Sequence, residues 1–279
     1  MLAGLESREW QIEVLKNKVE LGKFKAAIFD FDGTISLIRE GWQQVMIPYF
    51  IEELLKAPMA EDEASITRCV RDFVDFLTGK QTIYQCIRLA EEITARKGTP
   101  QDPLEYKKEY NRRLMERIEH RITGLREGSI EPEYMVVPGS FELLNMLNEH
   151  GLILYLASGT DENYVLEEAE LLNVTKYFNG GIYGAKDQYK LFSKAMVIQN
   201  IIKTHRLAGK ELIGFGDGYV EIENVKSVEG FAVGVATDEV NKCGINEWKR
   251  NRLMCAGADI IIPDYRQFNK IEEYIFPNF

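Results

Sequence analysis

One short strand-like run, Lys25-Ala-Ala-Ile-Phe-Asp-Phe-Asp32, stands apart from every other strand-like run in the chain, because residues 38–134 carry only helical periodicity. A lone strand leaves its backbone donors and acceptors unpaired along both edges, so this run must join strands that come later. Those follow from Val136 onward: Leu152–Ala157, Gly181–Tyr183, Leu212–Phe215, Phe231–Ala236 and Asp259–Ile262. Helical stretches near 140–149, 161–173, 193–206 and 220–228 fall between them. Strand–helix alternation implies a parallel sheet with right-handed crossovers, so the expected fold is α/β, a doubly wound parallel-sheet core interrupted by an all-helical insert.

The insert shows its period plainly. Tyr106, Tyr110, Leu114, Ile118 and Ile122 recur every four residues, and Ile66, Val70, Phe73 and Leu77 form a second stripe. A third helix spans Trp42 to Leu55, with Pro48 as a point of bending. Plain core packing accounts for these stripes. Residues 1–22 read as a charged amphipathic N-terminal helix with Trp10, Ile12, Leu15 and Val19 on one face and Gly22 as its stop. The expected division is therefore an N-terminal helix over 1–22, a core over 23–37 and 135–279, and a helical cap domain over 38–134.

Composition narrows the partners. A net charge of -10 disfavours nucleic acid and anionic membrane surfaces, which select clustered Lys and Arg. An anionic substrate would then need positive charge supplied locally. Cys69, Cys86, Cys243 and Cys255 have neither disulfide-framework nor zinc-site spacing, and no apolar run approaches the roughly 18 residues of a membrane span. A cytoplasmic location is the expectation.

In an open parallel sheet the site lies at the carboxyl ends of the strands. The first strand ends in Asp30-Phe31-Asp32-Gly33-Thr34, and alternation puts both carboxylates on one face, where a cation would relieve their repulsion. The next ends in Ala157-Ser158-Gly159-Thr160-Asp161, and a later one in Gly214-Phe215-Gly216-Asp217-Gly218-Tyr219-Val220-Glu221. Tyr219 spoils a GxGxxG reading of that last loop, and His120, His150 and His205 suggest no triad or metal cluster.

This ordered set resembles the haloacid dehalogenase-like superfamily, with its DxDGT first motif and its GDxxxD last motif, across about 25–37 and 135–265. The resemblance implies a Rossmann-like core, Mg²⁺, and hydrolysis of a small phosphorylated metabolite. Carried onto matching positions, it makes Asp30 the nucleophile and Asp32 the acid/base. Thr34, Ser158, Gly159 and Lys194 would bind the phosphate, and Asp30, Asp32, Asp217 and Glu221 would hold the metal. Glu221 replaces the more usual Asp, so ligation through water is an alternative. The third-motif lysine could also be Lys186 or Lys190; Lys194 opens a helical run 23 residues before Asp217.

Substrate specificity is expected from the cap, with Arg39, Trp42 and Lys80 as candidates alongside ordinary packing or solvated roles. A dehalogenase is disfavoured, because Asp32 has a proton to give only to an oxygen leaving group. A phosphomutase, sharing the whole core, and a catalytically silent phosphate-binding or regulatory protein are the alternatives.

Overall fold

The computed structural model describes residues 12–16, 21–186 and 193–277. Among these residues seven strands form one sheet: β1 (Glu13–Val14), β2 (Ala26–Phe29), β3 (Ile153–Asp161), β4 (Gly181–Ala185), β5 (Leu212–Gly216), β6 (Phe231–Val235) and β7 (Ile260–Ile262). Their spatial order is β1-β7-β6-β5-β2-β3-β4, and all neighbours are parallel except β1 against β7. β2 therefore lies inside the sheet. The chain builds outward from it to β3 and β4, then crosses to β5 on its other side, so the strand order reverses at β2. Ligands bind at such switch points.

β2 is buried along its whole length, as its unbroken apolar run requires. Phe29 and Phe215 sit side by side in register and stack with centroids 4.4 Å apart. Offset aromatic packing of this kind is worth about 0.5–1.5 kcal/mol beyond area burial and stiffens the floor under the strand ends.

Between β2 and β3 come α1 (Gln43–Leu55), α2 (Glu63–Leu77), α3 (Thr82–Ala95) and α4 (Pro103–Glu127), and the core adds α5 (Ser140–Glu149) before β3. Caps explain the boundaries of the longer two. Asp62 accepts from Ser65 N at 3.0 Å to start α2. Asp102 caps α4 with Pro103 in the first turn, and Gly128 ends it in the left-handed region. The five-residue stripe of α4 is buried throughout.

The cap packs down on the core. Arg252 Nη1 and the Tyr219 hydroxyl donate to the carbonyls of Asp75 and Phe76 at the end of α2, at 2.5 and 3.0 Å. Lys107 and Asn111 of α4 both donate to Asp161.

The N-terminal expectation needs correction. Glu13 and Val14 form β1, antiparallel to Ile261 and Ile260, where a helix over 1–22 was expected; Trp10 and Val19 lie outside the described residues. β7 would otherwise present an unpaired edge, and satisfying that edge outweighs the local helical pattern. Arg250 clamps the added strand by donating to both oxygens of Glu13, at 2.5 and 2.6 Å.

The core helices α6 (Glu162–Leu171), α7 (Lys194–His205) and α8 (Tyr219–Lys226) sit where the sequence suggests them. α9 (Glu247–Ala256) and α10 (Phe268–Ile275) are additions. α9 buries only Lys249 and Leu253, so it offers almost no apolar stripe to read. Among the described residues no helix is long and apolar enough to cross a membrane.

Candidate active site

The ends of β2, β3 and β5 converge beneath the cap on a cavity of about 100 Å³. Asp30, Asp32, Ser158, Gly159, Lys194 and Asp217 all line it, and so do the cap-side candidates Arg39, Trp42 and Lys80. Of the expected site residues, Thr34 and Glu221 are buried and do not line it.

The turn after β2 is built on Phe31, whose carbonyl accepts from the backbone N–H of Ile35 and Ser36 at 2.8 Å. Gly33 takes a left-handed φ of 75° there, and a Cβ at this position would fall 2.4 Å from Asp217 Oδ2. A glycine is thus required for conformation and to let β2 and β5 bring their carboxylates together. Thr34 is fully buried, its hydroxyl has no partner among the described residues, and its carbonyl accepts from Tyr265 at 3.0 Å.

Asp30 is buried, and Lys194 Nζ donates to its Oδ1 at 2.7 Å. Ser193 caps α7 by accepting from Met196 N, which sets Lys194 as the first helical residue, facing the site. Lys186, by contrast, is exposed and lies 3.6 Å from Glu162; Lys190 lies outside the described residues. Lys194 also pairs with Glu221 Oε1, whose other oxygen is buried without a partner. Glu221 thus engages the lysine directly, a different contact from the metal ligation expected of it.

Burial first, then the neighbouring carboxylates of Glu221 and Asp217, push Asp30 well above the usual carboxylate range, against the pull of Lys194. Asp30 and Glu221 in turn raise Lys194 above an ordinary lysine despite its burial.

Asp32 Oδ2 accepts from the Thr160 hydroxyl at 2.7 Å and more weakly from Ser158 at 3.4 Å. Ser158 Oγ in turn accepts from Thr160 N at 3.0 Å, inside β3, so it does not cap α6; Asp161 holds the N-cap position. Asp32 Oδ1 is buried without a hydrogen bond, 3.9 Å from Arg39 Nε.

Two groups escaped the sequence reading. Lys249 of α9 places its ammonium 2.7 Å from Asp217 Oδ2 and 2.5 Å from Glu239 Oε1. It is a buried lysine between two acids, matching Lys194 between Asp30 and Glu221. Thr160 is the second, a hydroxyl one residue beyond the Ser-Gly pair. The Asp-Glu at 238–239, just past β6, was the available signal for the first.

The arrangement suits a hard divalent cation. Asp30 and Asp217 each give one oxygen to a lysine, and the other makes no hydrogen bond to a described residue. Two converging carboxylates with free oxygens, one of them driven toward its neutral form, are what such a cation relieves. No group of three His, Cys, Asp or Glu side chains forms a metal-ligand cluster among the described residues. Two carboxylates completed by backbone oxygen and water would not form one.

Residues 24–227 match the family model for haloacid dehalogenase-like hydrolases. Among solved structures, a predicted phosphoglycolate phosphatase from Haemophilus somnus 129PT is 17% identical, with a TM-score of 0.58 over 90% of this chain and 99% of that one. β-Phosphoglucomutase from Clostridium difficile is 18% identical, with a TM-score of 0.59 over 90% and 96%. A predicted phosphatase from Clostridium acetobutylicum is also 18% identical, with a TM-score of 0.57 over 90% and 99%. At such identities the likeness is one of fold. No curated protein matches the chain.

Proposed function

The chain belongs to the haloacid dehalogenase-like hydrolases, and from that premise we propose that it hydrolyses a small phosphate monoester with Mg²⁺, through a phosphoryl group carried on Asp30. The observation that carries this reading is the position of Asp30 at the end of β2, between the Lys194 ammonium and Asp217, with Asp32 facing the same cavity.

In the first step an Asp30 oxygen attacks phosphorus and the bond to the ester oxygen breaks. The leaving alkoxide takes a proton from the Asp32 carboxylic acid. In the second step Asp32, now a carboxylate, accepts a proton from the water that attacks the phosphoaspartate, and inorganic phosphate leaves with Asp30 restored. Splitting the hydrolysis this way gives each displacement an oxygen nucleophile already in place.

Lys194 faces the charge that develops on the transferring group, and Glu221 holds that ammonium against Asp30. Ser158 and Gly159 offer hydroxyl and backbone donors beside it, while Thr160 fixes the orientation of Asp32. Asp30 and Asp217 would hold Mg²⁺ with the Asp32 carbonyl, and the bound ion would neutralise phosphate charge and keep Asp30 ionised. Glu221 serves here as the lysine's partner.

The test is phosphate release from p-nitrophenyl phosphate and from small natural esters, with Mg²⁺ or with EDTA. Metal-dependent release that Asp30→Asn abolishes without unfolding the protein supports the reading. An Asp30→Asn protein with wild-type kinetics would remove Asp30 from the chemistry. Phosphoryl transfer to an acceptor hydroxyl, in place of release, would make the protein a phosphomutase.

A further inference from the structure

Beyond the phosphate pole, the cavity contains polar side chains that the protein leaves without partners. Gln85 of α3 is only 3% exposed, yet its amide makes no hydrogen bond to any described residue, and it interrupts an otherwise apolar buried face of Ile83, Cys86, Leu89 and Ile93. Tyr110 of α4 is 4% exposed, and its hydroxyl is likewise free of a described partner. Half-buried Thr82 lines the same space. Buried amides and hydroxyls are nearly always hydrogen-bonded, so Gln85 and Tyr110, with half-buried Thr82 beside them, mark a place for a ligand's own polar groups.

The buried guanidinium at this end is already paired. Arg39, 7% exposed, gives its Nε and Nη2 to Glu168 Oε1 at 2.9 and 2.6 Å, with Asp32 Oδ1 at 3.9 Å. A substrate carboxylate here would be the third around one guanidinium, a repulsive arrangement where water is excluded. Lys80, the other cap-side cation of the lining, is exposed, with its ammonium 5.6 Å from the centre of the Phe76 ring. Gln85, Tyr110 and Thr82 are neutral, and each can both donate and accept, the hydrogen-bonding character of an alcohol. Trp42 and Met46 add an apolar wall suited to C–H faces. At about 100 Å³ the chamber is well below the roughly 300 Å³ at which pockets for drug-sized ligands begin.

Resting on the phosphatase reading above, we infer that the leaving group is a small neutral polyol or sugar, read by Gln85, Tyr110 and Thr82, and that phosphorylated carboxylic acids and nucleotides are poor substrates. Arg39 acts as a positioning residue, locked by Glu168, that holds Asp32 toward the leaving oxygen.

The experiment compares kcat/KM for glycerol phosphate and erythritol phosphate with phosphoglycolate, phosphoglycerate, AMP and ethyl phosphate, using the Mg²⁺-loaded full chain. The polyol esters should lead by tenfold or more. Gln85→Leu and Tyr110→Phe should each cut the preference for glycerol phosphate over ethyl phosphate by about tenfold, one lost hydrogen bond apiece. Thermal unfolding of each variant checks that it folds.

A flat profile, or an acid or AMP in the lead, overturns the inference. Calorimetric binding of the same esters to Asp32→Asn, which should not turn them over, separates it from the phosphatase reading. Preferential polyol binding with no wild-type turnover would sink the phosphatase and leave the chamber assigned. Turnover with a different ranking would sink the chamber assignment alone, and neither turnover nor binding would sink both.

Discussion

The same charged residue types serve two regions of this molecule very differently. On the outer face of α4, Arg112 and Arg113 share Glu109, and Arg112 also reaches Glu116, with Arg112 and Glu116 exposed and Arg113 and Glu109 half-buried at the solvent's edge. At the strand ends, Lys194 lies between Asp30 and Glu221 and Lys249 between Asp217 and Glu239, with both ammonium groups buried. On α4 water can replace any partner that is lost. At the strand ends nothing replaces it, so each charge there is held in place by its neighbours and shifts their proton affinity.

The largest break in this comparison is Lys194→Met. It leaves Asp30 and Glu221 facing each other without their cation, and loss of one buried partner costs about 3–5 kcal/mol, measurable by urea denaturation. A loss under about 1 kcal/mol would place this lysine in the same class as those on α4.

Lys249→Gln should show the same effect through metal. With the ammonium gone, Asp217 and Glu239 depend more on an added cation, so Mg²⁺ should raise Tm further in the variant than in wild type. An equal or smaller rise would mean that Lys249 and the metal do not share Asp217.

Arg39→Lys keeps the charge but loses the two-pronged grip on Glu168. Turnover should fall about tenfold or more, because a lysine ammonium is a poor substitute at a bidentate site. Unchanged kcat would separate Arg39 from the orientation of Asp32.

Arg113→Ala, at the half-buried edge of α4 where water still reaches, should change stability by about 1 kcal/mol or less despite its contacts with Glu109, Glu52 and the Tyr49 ring. The smallest effect concerns Glu109, which hydrogen bonds from Arg112 and then Arg113 hold down to about 2. A carboxylate depressed on folding stabilises the native state above its unfolded value near 4.3, and that contribution fades as pH falls through the folded value. NMR titration should find Glu109 still ionised at pH 3. A midpoint near 4 would show the α4 pairs to be loose in solution.

Much of this could be read directly from residue order. The Asp30–Asp32 pair ends a buried strand, and strand alternation alone sets both carboxylates on one side. Lys194 follows a capping Ser at the start of a helix, and its distance along the chain from Asp217 matched the family pattern. The tyrosine stripe of α4 declared itself by its spacing. Each of these signals is local, depending on neighbours within a turn or a strand.

What only the tertiary structure decided is which distant groups meet. Lys249 sits on a helix with almost no apolar face, so no period marks it as buried, yet α9 packs so that its ammonium meets Asp217. Glu13 and Val14 form a strand only because β7 offers an open edge. Gln85 is one polar residue on a buried face, indistinguishable by sequence from a solvated one, until the packing of α3 over the strand ends turns it into a cavity. Local periodicity encodes which face of an element is apolar. Partners hundreds of residues apart, and the water they exclude, are set by how the elements close on one another.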